Sequence, residues 1–260
     1  MTLNTHYTFG DVDRAADRLR LLAGVFEPSL VAFLRRAKIM AATRVLDLGC
    51  GPGYTTRTLS RLLAPHVIVG VDGSERFIER ARADSPPEIE YRLADVTTTD
   101  LAGLEVDLAY SRFLLTHLPN PGEALSLWAP ALRPGGRLLL QETAHLASAH
   151  PALARYYELV DLLQRRHGQS LHIGRDLRSL VDQTRYRIIR DERTPIGVTA
   201  PQMAELHALN IQTWRHDAQA KDFDPGEMDR LERDLRGLAS EKSSTTEVLY
   251  EMGEMVLERL

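Results

Sequence analysis

Short apolar runs and amphipathic stretches alternate through the first half of the chain. Arg44–Leu48, Val67–Val71, Ile89–Leu93, Val106–Tyr110 and Arg137–Glu142 predict strands, with Val67–Val71 reading as buried. The stretches between them predict a helix after each of the first four strands, one starting near Tyr54 and one from Ser74, a plausible N-cap, to Arg82. Regular alternation of this kind implies an α/β domain whose parallel sheet is covered on both faces. Ahead of the first strand, two helices are expected, Asp11–Ala23 and Phe26–Lys38. The second carries Phe26, Leu30, Phe33, Leu34 and Ala37 on one stripe, with Pro28 in its first turn. Leu132-Arg133-Pro134-Gly135-Gly136 reads as a helix stop and a turn.

Beyond Glu142 the alternation is interrupted. Pro151–Arg166 has Leu153, Tyr156, Tyr157, Val160 and Leu163 at helical spacing, and a core helix is expected over Asp176–Gln183. A sixth strand follows at Tyr186–Asp191, then helical stretches at Pro201–His216 and Pro225–Ala239, and a last strand at about Met252–Arg259. No repeat or linker divides the chain. The expectation is one domain over 1–260, with a helical cap at 1–40 and lid insertions at 143–175 and 197–245.

The chemistry concentrates where the first strand ends, in R-V-L-D-L-G-C-G-P-G-Y-T-T from Arg44 to Thr56. Glycines at 49, 51 and 53 make a tight turn whose bare backbone lets a flat ligand approach, and the helix after it presents unpaired N–H groups. This predicts a nucleotide-type cofactor loop. The dinucleotide spacing G-x-G-x-x-G fails, because Tyr54 and Thr56 stand where its last glycine is needed. The phosphate loop fails too, because no lysine occurs between Lys38 and Lys221. What remains is Asp47, two places before G-x-G-x-G, a carboxylate able to hold the turn or pair with a cation.

This loop resembles motif I of the class I S-adenosylmethionine-dependent methyltransferases, and the later strand ends extend the likeness. Asp72, followed by Gly73, is a carboxylate for both ribose hydroxyls. Asp95 and Val96 resemble the pair that meets the adenine, and Ser111 stands where the family contacts the methionine amine. The resemblance therefore implies S-adenosylmethionine held by Asp47, Gly49, Cys50, Gly51, Gly53, Asp72, Gly73, Asp95, Val96 and Ser111. It also implies a Rossmann-like doubly wound sheet of seven strands in the order 3-2-1-4-5-7-6, the last antiparallel. The cap before the first strand resembles the one that small-molecule methyltransferases of the ubiquinone-biosynthesis-like group fold over the cofactor. Tyr7, Arg14 and Arg18 are its candidates for the methionine end, or solvated side chains on a surface helix.

Composition narrows the acceptor. With a net charge of −4 the chain has no overall attraction for nucleic acid or an anionic membrane. The amino-methylating motif Asn/Asp-Pro-Pro-Tyr/Phe is absent after the fourth strand. The expectation is a small neutral or hydrophobic acceptor, with no nucleic-acid or membrane partner; nothing in the sequence speaks to oligomeric state. The single cysteine, Cys50, cannot form an internal disulfide, and the first residues lack a basic segment leading into an apolar core, so a cytoplasmic protein is expected. No His-x-x-x-His or Cys-x-x-Cys spacing occurs, and metal independence is expected.

His117, just past the fourth strand, is the candidate general base or else a histidine packed at a helix start. Met203, His207, Asn210 and Trp214 fall at i, i+4, i+7 and i+11. That stripe could hold an aromatic acceptor, or bury Met203 and Trp214 in the core with the polar pair at its margin. Tyr156, His172 and Arg175, with Tyr157, are further candidates for the acceptor wall. The expected activity is methyl transfer to oxygen, nitrogen or carbon of a natural-product or secondary-metabolite intermediate. A cyclisation or elimination that uses the cofactor without methyl transfer stays open, as does a non-catalytic cofactor-binding subunit.

Overall fold

The computed structural model describes residues 13–241 and 243–260, with side chains from Asp17 onward. Tyr7 lies outside the described residues, and so does the side chain of Arg14.

The strands are β1 (Arg44–Leu48), β2 (Val67–Asp72), β3 (Ile89–Leu93), β4 (Val106–Arg112), β5 (Leu132–Ser148), β6 (Tyr186–Pro195) and β7 (Val248–Arg259). They form one sheet in the order β3-β2-β1-β4-β5-β7-β6, with β7 antiparallel to both neighbours, the Rossmann-like arrangement expected. The chain leaves β1 toward β2 on one side and returns to β4 on the other, both pairings parallel. The loops after β1 and β4 therefore diverge, and the crevice between them is where ligands enter such sheets.

The helices are α1 (Asp13–Arg36), α2 (Tyr54–Leu63), α3 (Glu75–Ala83), α4 (Pro121–Trp128), α5 (Pro151–Arg166), α6 (Ala200–Trp214) and α7 (Pro225–Ser240). Leu30, Phe33 and Leu34 of α1, Leu59 and Leu63 of α2 and Ile78 of α3 bury one face of the sheet. Leu125 and Trp128 of α4, with Leu101, Leu104 and Tyr186, bury the other. A third cluster joins α5, α6 and α7 to Phe26, Tyr250 and Met252.

Several boundaries differ from the sequence reading. One continuous helix replaces the two expected before β1, with Pro28 inside it. The ring's clash partner four residues back is Gly24, beside which a Cβ would meet nothing within 4 Å, so that turn has room to adjust. A 3-10 turn, Ala102–Leu104, follows β3 in place of a helix, and the core helix expected at Asp176–Gln183 is two 3-10 turns, Ile173–Arg175 and Leu177–Leu180. Residues Leu132–Gly136 belong to β5. The register jumps there from Val106↔Leu132 to Leu108↔Arg137, so the Pro-Gly-Gly run is a bulge on the strand rather than a turn ahead of it. No helix of the described residues is long and apolar enough to cross a membrane.

Candidate active site

The glycine turn is pinned by main chain from β2. Gly49 and Cys50 both donate to the Val71 carbonyl at 2.9 Å, and Gly53 donates to the Cys50 carbonyl at 3.0 Å. Gly49, Gly51 and Gly53 have φ of 69°, 51° and 77°, the left-handed region that favours glycine. A Cβ on Gly53 would lie 2.4 Å from the Tyr91 hydroxyl, so β3 packs directly beneath the turn. On the other side, a Cβ on Gly51 would meet only Leu19 of α1, at 3.7 Å. The first helix thus passes over the turn, leaving its outer face open to a ligand.

Three carboxylates organise the neighbouring strand ends. Asp72 accepts from Gly51 N–H and Ser74 N–H, both at 2.8 Å, fastening the turn to the end of β2. Asp95 accepts from the Thr97 amide at 2.8 Å and hydroxyl at 2.6 Å, all at Oδ1, while Oδ2 has no partner among the described residues. Asp47 is buried on β1 and accepts from the Thr56 hydroxyl at 2.6 Å. Burial pushes its carboxyl up to about 7, with the Thr56 bond and the nearby Arg112 opposing the rise. Cys50, buried among Asp72 and Asp47, has its thiol pushed well up, mainly by burial. Val96 is buried, and its carbonyl accepts from the Trp128 indole at 2.8 Å. At the end of β4 the Ser111 hydroxyl is fully buried with no hydrogen-bond partner among the described residues.

These features fit an adenosyl group. The turn is bare where a flat ring would lie, carboxylates stand at the ends of β2 and β3, and Ser111 carries an orphaned polar atom beside the crevice. No phosphate-binding lysine is present.

Just past Ser111 the chain turns toward a second space. Phe113 takes φ 55°, held by its N–H on the Gln141 carbonyl at 3.1 Å and by edge-on packing against Phe26 at 5.1 Å. Glu142, buried at the end of the β5 core, accepts from the N–H groups of Leu114 and Leu115 at 2.8 Å each and so fixes the turn carrying His117. Burial pushes this carboxyl up to about 8.

Behind that turn lies a cavity of about 100 Å³, walled by α1, α5, α6 and the segment after β4. Its apolar lining includes Phe26, Phe113, Leu146, Val160, Met203 and Leu206, and its polar groups include Arg18, His117, Tyr156, Gln164, His207 and Asn210. Arg18 is its one charged side chain among the described residues. Arg18 Nη1 donates to Asn210 Oδ1 at 3.1 Å, and Asn210 Nδ2 donates to the Tyr156 hydroxyl at 2.8 Å. The Tyr156 ring stacks on His207 at 4.0 Å, and burial raises its hydroxyl to about 12. Burial drives both His207 and His117 down to about 3; for His117 the Arg18 charge adds to the fall and a Gln169 hydrogen bond opposes it. Both rings are neutral at pH 7.

The structure thus gathers Tyr156, His207 and Asn210 of the expected acceptor wall, with His117. Four other candidates, Tyr157, Trp214, Arg175 and His172, lie outside its lining. Trp214 is fully buried edge-on to Phe223 at 6.0 Å, as one of the two readings of that stripe required. Arg175 donates to the Ala144 carbonyl at 2.6 Å and pairs with His145, and His172 packs beside His145 at 6.1 Å; none of these lines the cavity. Arg18, expected at the methionine end of the cofactor, lines this cavity. Sequence reading missed Gln164, which falls on the buried stripe of α5 as Val160+4 and was legible as its one polar member. It also missed Phe113 and the anchoring part of Glu142, which depend on a left-handed residue and a long-range contact that no spacing announces. Among the described residues no three His, Cys, Asp or Glu side chains stand together to hold a metal ion.

Comparison with known proteins agrees with this geometry. Residues 46–140 match the family model described as a methyltransferase domain. A trans-aconitate 2-methyltransferase of Variovorax paradoxus is 34% identical over 108 residues, 42% of this chain and 41% of that protein, so the chain spans less than half the length of that curated relative. An S-adenosylmethionine-dependent methyltransferase from Mesorhizobium loti superposes with a TM-score of 0.54 at 22% identity, covering 92% of this chain and all of its own. The [4+2]-cyclase SpnF superposes with a TM-score of 0.53 at 17% identity over 96% of this chain and 84% of its own. At these identities the structural likenesses speak for the fold alone.

Proposed function

We propose that this chain, which carries the class I S-adenosylmethionine-dependent methyltransferase domain over residues 46–140, transfers the cofactor's methyl group to a small molecule held in the cavity behind His117. The observation that carries this reading is adjacency. The cofactor turn and a mainly apolar, partly open cavity meet at one segment, Ser111–His117, so a methyl group at the crevice would face whatever fills the cavity.

When bound, S-adenosylmethionine supplies an electrophilic methyl on a sulfonium. The chain's own part is to hold and orient. Gly49, Cys50, Gly51 and Gly53 provide the flat approach, Asp72 beside Gly73 takes the ribose hydroxyls, and Asp95 with the Val96 N–H takes the adenine edge. Asp47 and Ser111 face the methionine end. In-line displacement gains most from fixing the acceptor atom in the attack geometry, which the cavity wall would do. A histidine held near 3 is a poor base at neutral pH. His117 therefore serves as a neutral hydrogen-bond partner, and the acceptor's nucleophilicity comes from its own acidity. The acceptor is a small natural-product type of molecule, methylated at oxygen before nitrogen or carbon. A tricarboxylate such as trans-aconitate fits poorly, because desolvating three carboxylates beside one guanidinium is unfavourable.

The test uses S-adenosylmethionine labelled in the methyl group, with a panel of one-ring phenols and carboxylic acids. Label appearing in a product together with S-adenosylhomocysteine supports methyl transfer. Cofactor binding with no label transferred, while an acceptor is rearranged, would support the cyclisation reading instead.

A further inference from the structure

The polar wall of the cavity has a proton arrangement that can be read from its bonds. Arginine only donates, so the atom of Asn210 facing Arg18 Nη1 at 3.1 Å must be the amide oxygen. The amide nitrogen then faces the Tyr156 hydroxyl at 2.8 Å and His207 Nδ1 at 3.5 Å, and being a donor it requires Nδ1 to accept. The ring proton of His207 therefore sits on Nε2. That Nε2–H is buried, on a ring that lines the cavity, and has no hydrogen-bond partner among the described residues. A buried donor left unpaired is unfavourable and marks a place for a ligand atom. Across the same lining, Gln164 Oε1 is a second buried polar atom without a partner.

We infer that His207 Nε2–H is the donor that holds an oxygen of the acceptor, so that the cavity selects a molecule of about one-ring size, largely apolar, bearing a carbonyl or carboxylate oxygen. Size follows from the volume: a dry apolar cavity of roughly 150 Å³ accommodates benzene, and this one is of similar order at about 100 Å³. Shape follows from the aromatic rings of Phe26, Phe113, Tyr156 and Tyr250 in the lining. His207 is thus a specificity residue, and its proton placement is set through Asn210 by Arg18. The inference rests on the reading that this cavity takes the methyl acceptor.

Two measurements test it. Nitrogen-15 NMR of histidine-labelled protein reads the tautomer of His207 with no ligand present; a protonated Nε2 is expected, and a protonated Nδ1 would overturn the inference. Titration of benzoate, acetophenone and ethylbenzene into the complex with S-adenosylhomocysteine reads the oxygen contact. The best oxygen-bearing probe should bind at least tenfold more tightly than ethylbenzene. His207→Gln, which offers an amide N–H near Nε2, should keep that preference, and His207→Phe, which keeps a ring against Tyr156 but no donor, should lose it. Benzoate ahead of acetophenone identifies the oxygen as a carboxylate's, and the reverse order as a neutral carbonyl's. Ethylbenzene binding as tightly as both, or a preference that survives in His207→Phe, would overturn the inference. S-adenosylhomocysteine should bind all three proteins alike, which checks folding. Failure of wild-type protein to bind it would defeat the methyltransferase reading by itself, and the tautomer would still report on His207.

Discussion

The two halves of the site are built from different materials. Around the glycine turn most contacts have a main-chain partner: the Val71 carbonyl takes two amides, Asp72 takes two more and Asp95 takes the Thr97 amide, while Asp47 to Thr56 and Asp95 to the Thr97 hydroxyl join side chains. In the proposed acceptor cavity they run from side chain to side chain, Arg18 to Asn210 to Tyr156 and His207, and the buried atoms left over include Gln164 Oε1 and His207 Nε2. Main-chain groups are the same in every sequence, so the first half is a general holder for one cofactor. The second depends on the identity of every member, so a single replacement changes what fits, and its leftover atoms describe the missing ligand.

If this division holds, damage on one side should leave the other readable. The largest effect is expected at the turn itself. Gly53→Val combines left-handed backbone with a clash beneath it on Tyr91 and should lower stability by about 3 kcal/mol or more in urea unfolding, with loss of cofactor binding. A variant of wild-type stability would show the turn to be loose. Next, Asp72→Ala removes charge-assisted bonds to the turn and the ribose. Calorimetry should show S-adenosylhomocysteine binding weakened by about 1.5–3 kcal/mol, while probes still enter the cavity.

Arg18→Leu sharpens the contrast, because the residue is an expected cofactor ligand that lies in the acceptor wall. The account predicts a rise in acceptor KM of roughly tenfold, the size of one lost charged hydrogen bond, with cofactor affinity within twofold of wild type. The opposite pattern would move Arg18 back to the methionine end. Smaller effects concern pH. Asp47 is protonated below about 7, and a cationic cofactor favours its ionised form, so binding releases a proton. Cofactor affinity should therefore rise from pH 5.5 to 7, by less than tenfold per unit, and level off above; titrations in two buffers of different ionisation enthalpy count the proton. For stability the signs separate. Asp47, raised in the folded state, contributes stability at low pH that is lost as pH rises through about 7, whereas His207, lowered to about 3, contributes stability that is lost as pH falls below its ordinary 6.5. His207→Gln should flatten the acid side of the profile by at most about 1.4 kcal/mol per pH unit.

The same division governs what the sequence made legible. The strand ends and their acids could be read because turn chemistry and strand periodicity are local: Asp47 and Asp72 lie at short apolar runs and Asp95 follows an alternating one. Sheet order came with the family resemblance and agrees with the structure. The cavity was half legible. Helical spacing put His207 and Asn210 on one face, but whether Trp214 joined them depended on Phe223 in a later segment. That Arg18 would bridge to Asn210, 192 residues away, and that Glu142 would hold the turn before His117 by a bond to Leu114, 28 residues away, depends on contacts that periodicity does not encode. The continuous α1 was hidden because a proline reads as a boundary unless the residue four places earlier is free to yield.

The central claim is that one cofactor binds across the glycine turn with its reactive end at the cavity mouth, and a crystal structure with S-adenosylhomocysteine tests it most directly. The account predicts the adenosine over Gly49–Gly53, the ribose on Asp72, and the sulfur beside Phe113 and His117, facing the cavity that contains His207. A ligand bound elsewhere, or a sulfur directed into solvent with α1 standing between it and the cavity, would contradict it.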